Sequence, residues 1–146
     1  MTISKILVAH DFSEAANRAL RFAAELARAT NAKLELGYVQ PNLFEEGGDP
    51  LLVLPLASPD QRERYTQFVG EELKRVAAAV VDGGGELPCH ILRGDPVKRI
   101  TELARERAAD VICLAATGKG AVQRVLLGSV SQLVLRSASV PVLLVP

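Results

Sequence analysis

The sequence predicts an α/β protein built on one parallel β-sheet with helices on both faces. Short apolar runs alternate along the chain with longer segments in which apolar residues recur at helical spacing. Strands that alternate with helices favour a doubly wound parallel sheet, because right-handed crossovers place the helices over it. The 146 residues suffice for one core, so a single domain over residues 1–146 is expected.

The first half of the chain is expected to contain two strands and two helices. Lys5–His10 is an apolar run bounded by turn residues, which is typical of a strand buried on both faces. Asp11 is expected to cap the helix that follows, and Glu14 to complete a capping box. That helix should run to about Ala29; a strand over 33–39 and a helix over 60–81, ended by glycines 83–85, complete this half.

Residues 41–59 are predicted to form a long irregular segment. They contain four prolines and two glycines, which excludes a regular element over most of the stretch. A segment of this length in a small domain is usually a lid, a partner surface or a mobile loop. Its apolar part, 51–56, is expected to pack against another surface.

The second half is expected to add three strands and two helices. Asp95 can cap a helix and Pro96 suits its first position. The inner face of this helix is predicted to consist of Ile100, Leu103, Ala104 and Ala108. The strands are predicted over 87–92, 111–115 and 140–145, and the last helix over 129–137.

Composition and charge exclude several classes of protein. Lys plus Arg and Asp plus Glu both number 17, so the net charge is zero and no basic stripe indicates nucleic acid as a partner. The N-terminal apolar run is too short for a signal peptide or a membrane span, which favours a cytoplasmic protein without membrane contact. Cys89 and Cys113 lie in predicted strands without metal-ligand spacing, so both are expected to be buried free thiols.

A glycine-containing turn after the fourth predicted strand is the strongest functional signal. Gly118 and Gly120 allow the backbone to approach a ligand closely, and Gly128-Ser129 opens a helix whose free amides attract anions. A phosphate chain suits such a site, although neither the Walker pattern nor the dinucleotide fingerprint fits the spacing. Spacing alone equally permits a plain turn and helix start, with Asp11 as a simple N-cap.

Three segments resemble the universal stress protein family, and the resemblance covers the whole chain. They are "ILVAHDFSEAANRAL", "GDPVKRITELARERAADVICLAATG" and "GAVQRVLLGSVSQLVLRSASVPVLLVP". Nucleotide-binding members carry Gly-x2-Gly-x9-Gly-Ser/Thr; Gly118 and Gly128-Ser129 match its second half, and Ala115 stands in place of the first glycine. The resemblance implies a Rossmann-like, adenine nucleotide alpha hydrolase-like sheet of five parallel strands in the order 3-2-1-4-5.

The same resemblance implies a site for ATP, with or without Mg²⁺, at the carboxyl edge of the sheet. Asp11 would contact the ribose, and Val39 would hold the adenine through its backbone, with Ala9 and His10 nearby. The predicted site also includes Ala115 and Thr117, and the phosphates would lie against Gly118, Gly128, Ser129, Val130 and Ser131. No protein ligand for a metal is predicted. Family members commonly dimerise through the last strand, here 140–145.

The predicted function is therefore that of a homodimeric stress-response protein that binds ATP with slow or no hydrolysis. Residues 114–131 contain no acidic residue and no histidine, so a placed base near the phosphates is missing. The alternative is a dimeric interaction module of the same fold that binds no nucleotide. Ala115 and the apolar run "LLVLPL" favour this alternative, in which segment 41–59 and the dimer edge are the working surfaces.

Overall fold

The computed structural model describes residues 2–40, 58–81, 85–117 and 127–146. The strands are β1 Lys5–His10, β2 Lys33–Gln40, β3 Cys89–Arg93, β4 Val111–Ala115 and β5 Val142–Val145. The helices are α1 Glu14–Thr30, α2 Pro59–Ala78, α3 Pro96–Glu106 and α4 Ser129–Ser137. All strand pairs are parallel and form one sheet in the order β3-β2-β1-β4-β5, which confirms the predicted fold class and strand order.

The two faces of the sheet carry separate apolar cores, because successive side chains of a strand point to opposite faces. Under α1 and α2, strand residues Ile6, Val8 and Leu36 pack with Ala19, Leu20 and Leu73. Under α3 and α4, strand residues Leu7, Ile112 and Leu114 pack with Leu103, Ala104 and Val134. Leu20 and Leu73 are at most 1% exposed, and each contributes about 1.5–3 kcal/mol by leaving water.

Helix α1 lies close on the sheet because its buried face is mostly alanine. Ala16, Ala19, Ala23 and Ala27 are all buried, as their helical spacing predicted. Helix α3 also starts as predicted: Asp95 accepts the Lys98 N–H over 2.8 Å and Pro96 takes the first turn. None of the helices in the described ranges is both long and apolar enough to cross a membrane.

The predicted cap of α1 is wrong by two residues. Ser13 is the N-cap, and its hydroxyl accepts the Ala16 N–H over 3.0 Å. Asp11 lies two residues earlier, where its Oδ1 accepts the Ser13 N–H over 3.0 Å. Glu14 is the first helical residue, so it cannot complete a capping box at the third position. Asp11 is therefore not the N-cap of α1 and belongs to the turn that joins β1 to α1.

Smaller differences occur at the ends of other elements. Ala108, expected on the inner face of α3, has a φ of 50° beyond the end of that helix, and Ala109 is the buried residue instead. Strand β5 starts at Val142 rather than at residue 140, because Pro141 has no N–H to donate to the sheet, although its carbonyl accepts the Ile112 N–H. Cys113 is buried as expected, whereas Cys89 is only half-buried. The predictions for 41–57 and for glycines 83 and 84 lie outside the described residues.

Candidate functional site

The carboxyl ends of β1, β2 and β4 meet at one edge of the sheet. β1 lies between the other two strands, with Ala9 opposite Gly37 on β2 and Leu114 on β4. The chain leaves β1 in one direction along the sheet and β4 in the other, so the strand order reverses between them. In doubly wound sheets this crevice is where ligands bind. The residues that follow β1 and β4 are therefore the first to consider as a site.

A tight turn after β1 presents Asp11 at this edge. Asp11 Oδ1 accepts the Ser13 N–H over 3.0 Å, and the Phe12 N–H donates to His10 Nδ1 over 3.1 Å. Phe12 has a φ of 62°, in the left-handed region that costs a residue with a Cβ about 1–2 kcal/mol. Its ring contacts His10 edge-on at 5.4 Å and Tyr38 at 4.8 Å between centroids. These contacts hold the turn in a conformation that the backbone alone disfavours.

His10 lies beneath this turn rather than on the surface of the edge. The residue is only 4% exposed, and its Nε2 lies 3.1 Å from Asn17 Oδ1 on the first turn of α1. Both ring nitrogens therefore contact the protein itself. The sequence predicted His10 near a bound base; in the structure it supports the turn that carries Asp11.

The start of α4 is held against the end of β4. The Ser131 hydroxyl donates to the Ala115 carbonyl over 2.7 Å, and the Gly128 N–H donates to the Ala116 carbonyl over 2.8 Å. Gly128 is the N-cap of α4 and, lacking a side chain, gives the first-turn amides no cap. The amides of an uncapped helix start carry the positive end of the helix dipole. Ser129 is exposed, Val130 is half-buried and Ser131 is 4% exposed.

Ala115 occupies a position that does not require glycine. It is the last residue of β4, it is 7% exposed, and its side chain belongs to the core under α1. Among the described non-glycine residues, positive φ angles occur at Phe12, Asn31 and Ala108 and not here. An alanine in an extended strand is conformationally ordinary. Its methyl group is directed into the core beneath the strand end.

Three of the predicted site residues belong to one apolar core. Ala9, Val39 and Val130 are all members of the cluster under α3 and α4, together with Leu114 near the end of β4. Val39 and Val130 are half-buried, so this cluster reaches the edge of the sheet. Thr117 is half-buried just beyond β4, and Gly118 lies outside the described residues. The structure thus brings together an apolar patch, a carboxylate and a helix start.

Sequence reasoning missed several side chains that shape this edge. Asn17 and Phe12 form the contacts to His10 described above. Burial, together with the nearby Tyr65 hydroxyl and the charge of Asp11, raises the pKa of Tyr38 to about 12. Gln40 is 4% exposed, and no donor among the described residues reaches its Oε1. Only Asn17 could have been found from the sequence, because helical spacing places it in the first turn of α1, close to the end of β1.

No metal centre accompanies this arrangement in the parts of the chain that the structure describes. Within residues 2–40, 58–81, 85–117 and 127–146, no three His, Cys, Asp or Glu side chains are grouped so as to hold a metal ion. The described residues of the edge offer hydrogen bonding by backbone amides and hydroxyls, the Asp11 carboxylate and apolar contact.

Comparison with known proteins identifies the family. Residues 2–146 match the sequence model of the Universal stress protein family. A universal stress protein of Methanocaldococcus jannaschii is 30% identical over 145 residues, covering 97% of this chain and 81% of the relative.

Solved structures agree with that match. The universal stress protein UspA from Lactobacillus plantarum superimposes with a TM-score of 0.80 at 25% identity, covering 100% of this chain and 99% of the other. A universal stress protein in complex with cAMP superimposes with a TM-score of 0.66 at 26% identity, covering 100% and 98% of the two chains. On these matches and on its strand order, the chain belongs to the universal stress protein family.

Proposed function

We propose that this protein binds an adenine nucleotide, ATP with or without Mg²⁺, at the carboxyl edge of the sheet between β1 and β4. The observation that carries the proposal is the arrangement of two neighbouring strand ends. One strand end presents the Asp11 carboxylate, and the other is held to the uncapped start of α4 by the Ser131 and Gly128 hydrogen bonds. Amides at a helix start suit a phosphate group, and a carboxylate suits ribose hydroxyls.

The apolar patch supports a place for the base. Val39 would hold adenine through its backbone, with Ala9 and Val130 against the ring, because all three belong to the core cluster under α3 and α4, in which Val39 and Val130 are only half-buried. The phosphates would lie against Gly118, Gly128 and the first-turn amides of α4, with the exposed Ser129 hydroxyl as a further donor. Ser131 would contribute its N–H, because its hydroxyl proton is engaged by Ala115. Thr117 and Ala115 complete the wall beyond β4.

A relative supports the chemical class of the ligand. The universal stress protein solved in complex with cAMP binds an adenine nucleotide and shares the fold of this chain at 26% identity. That complex favours an adenine nucleotide here, and the choice of the triphosphate rests on the match of Gly118 and Gly128-Ser129 to the motif of nucleotide-binding members. Since neither carboxylates nor metal ligands are grouped near the start of α4 among the described residues, hydrolysis is expected to be slow or absent.

We further propose a cytoplasmic homodimer that pairs through β5 and acts in a stress response. β5 is an edge strand whose four residues are only half-buried, and an edge of this kind requires a cover. Leu133 and Leu135 of α4 are each 48% exposed, and Phe22 of α1 is 45% exposed. Arg18 reaches the Pro146 carbonyl at 3.4 Å, so Phe22, one helical turn further on, lies toward the same edge.

Calorimetric titration of the nucleotide-stripped protein with ATP and Mg²⁺ tests the nucleotide site. Micromolar or tighter binding is expected, with a matching rise in thermal stability. A variant with Asp11→Ala should bind more weakly without a change in oligomeric state. Absence of both heat and thermal shift in the wild-type protein would contradict the proposal. The alternative would then stand, a dimeric interaction module that works through segment 41–59 and β5.

A further inference from the structure

A continuous hydrogen-bond chain links the turn after β1 to the first two turns of α1. The Phe12 N–H donates to His10 Nδ1 over 3.1 Å, and His10 Nε2 lies 3.1 Å from Asn17 Oδ1. Asn17 Nδ2 donates to Glu14 Oε2 over 3.3 Å, and Glu14 Oε1 accepts from Arg21 over 3.4 Å. These hydrogen bonds thus run from the partly buried amide of Phe12 to the exposed ion pair of Glu14 and Arg21.

The groups at the two ends of this series of hydrogen bonds determine which atoms of Asn17 and His10 donate and which accept. A backbone N–H such as that of Phe12 can only donate, and an ionised carboxylate such as that of Glu14 can only accept. Hydrogen bonds from Asn17 and Arg21 lower the pKa of Glu14, so it remains an acceptor as the solution becomes mildly acidic. Asn17 must then offer its oxygen to the imidazole. The arrangement therefore corresponds to a neutral His10 whose proton lies on Nε2 and whose Nδ1 accepts the Phe12 N–H.

Protonation of His10 is incompatible with the turn as it stands. A proton on Nδ1 would point at the Phe12 N–H, so two donors would face each other across 3.1 Å. His10 is 4% exposed, which leaves little room for water to separate them. Phe12 would lose one of the contacts that hold its φ at 62°, and Asp11, its neighbour in the chain, would move with it.

We propose that His10 is a positioning residue for the nucleotide site: in its neutral Nε2–H form it fixes the turn that presents Asp11, without contacting the ligand. That His10 fixes the turn is a statement about the free protein, whereas its effect on ATP affinity rests on the nucleotide function proposed above. Asn17 serves as the anchor that orients the imidazole from α1. The two parts of the proposal have separate measurements.

Other titratable groups near His10 must be distinguished from it when binding is measured between about pH 8 and about pH 5.5. Tyr38, opposite His10 on β2, has its pKa raised to about 12 by burial and stays neutral. β4 ends in Leu114 and Ala115, which carry no charge. Among the described residues, Asp11 in the turn and Glu14 with Arg21 on α1 are charged groups near His10. All of them are shared by a variant in which only the imidazole is replaced.

The first measurement is nuclear magnetic resonance of the free protein labelled with ¹⁵N in its histidine rings. We expect His10 to show the Nε2–H tautomer at about pH 8 and the Phe12 amide resonance to shift as His10 takes up a proton. His90→Gln assigns the two imidazoles. An Nδ1–H tautomer, or a Phe12 amide that does not respond to His10 protonation, would overturn the hold on the turn.

The second measurement is ATP affinity between about pH 8 and about pH 5.5. The wild-type protein should lose about tenfold or more, the factor that corresponds to one hydrogen bond. His10→Asn places an amide oxygen near the position of Nδ1 and does not titrate, so it should bind within a few-fold of wild type and lose much less. His10→Ala should bind about tenfold more weakly even at about pH 8, because the acceptor is gone.

Control variants separate the possible failures. His90→Gln should keep the wild-type pH profile, and the terminal phosphate of ATP titrates identically with every variant. Parallel loss of affinity in wild type and His10→Asn would overturn the effect of His10 on binding. If wild type binds no ATP at about pH 8, the nucleotide function fails, and the resonance measurement alone decides whether His10 holds the turn.

Discussion

Glu35 and Arg107 are joined by two hydrogen bonds at the amino-terminal edge of the sheet. Arg107 Nε donates to Oε2 over 2.8 Å and its terminal nitrogen donates to Oε1 over 3.3 Å. His90 Nε2 lies 2.8 Å from Oε2, and Lys5 Nζ lies 3.5 Å from Oε1. The Glu35 side chain is only 5% exposed. Burial would raise its pKa, but the hydrogen bonds from Arg107 and His90 and the charges of Arg107 and Lys5 together lower it from 4.5 to about 2.

This carboxylate should govern the acid stability of the fold. A carboxyl pKa that is lower in the folded state stabilises the fold above the unfolded value of 4.5. The shift corresponds to roughly 3 kcal/mol, which is lost as the pH falls from about 5 to about 2. Urea unfolding across this range should show the loss in wild type. Glu35→Gln should remove most of the pH dependence and destabilise the protein at neutral pH by roughly 3–5 kcal/mol, because Arg107 and Lys5 lose their buried counter-charge and His90 loses a hydrogen-bonded carboxylate.

Glu25→Gln is the matched control, since Glu25 is exposed on α1. It should change the free energy of unfolding by less than about 0.5 kcal/mol at neutral pH and leave the acid transition in place. An acid transition that is equally steep in Glu35→Gln would mean that other carboxylates, and not this cluster, control acid stability.

The two serines in the first turn of α4 should separate stability from binding. Ser131→Ala removes the donor to the Ala115 carbonyl and should destabilise the fold by about 1 kcal/mol in urea unfolding. Ser129→Ala removes an exposed hydroxyl and should alter stability by less than about 0.5 kcal/mol. Calorimetry should show about tenfold weaker ATP binding for Ser129→Ala, the value of one hydrogen bond to a charged group. The reverse assignment of effects would mean that Ser131 is the phosphate ligand.

The sequence predicted the elements of this fold well because each is marked by local chemistry. Residues 6–9 are an uninterrupted apolar run within Lys5–His10, and Asp95-Pro96 is an unambiguous helix start, so both boundaries agree with the structure. The cap of α1 was harder, because Asp11 and Ser13 are both good N-cap residues two positions apart. Which of the two caps the helix depends on the left-handed conformation of Phe12, which lies between them. A phenylalanine in the sequence does not indicate that conformation.

The candidate site was predicted only in outline for a related physical reason. Strand ends can be placed from sequence, so Asp11, Val39 and Ala115 were correctly expected at one edge. Contacts between side chains depend on packing between elements, and the path from His10 to Asn17 and Glu14 crosses from a strand to a helix. No local pattern records such a path. The direction of the Ala115 methyl group likewise required the structure.

Replacing Ala115 by glycine should not improve nucleotide binding. The methyl group of Ala115 packs into the core under α1, and the backbone is extended, so glycine offers no new conformation that the strand uses. Ala115→Gly should cost about 1–2 kcal/mol in unfolding free energy, from lost burial and added chain entropy. ATP affinity by calorimetry should change by less than a factor of about two, well under 1 kcal/mol. A gain of tenfold or more would show that the alanine keeps the phosphates from the strand end.

Substitutions of Gly128 should change ATP affinity much more than the stability of the fold, because the backbone conformation of Gly128 is ordinary. Its φ of −60° and ψ of 149° are accessible to any residue, so a side chain introduces no backbone strain. Gly128→Leu should therefore change the free energy of unfolding by less than about 1 kcal/mol. Its side chain would stand at the uncapped start of α4, and ATP binding should fall below detection.

Gly128→Ser tests the same amides with a much smaller group. A serine at the N-cap position accepts a hydrogen bond from the second or third amide of the helix, so stability should rise by a few tenths of a kcal/mol. Those amides are the ones proposed to hold the phosphates, so ATP affinity should fall as stability rises. Urea unfolding and calorimetry on the same samples would measure both. A serine variant that gains stability and keeps full ATP affinity would exclude the first-turn amides of α4 as phosphate ligands, because one acceptor would already occupy them.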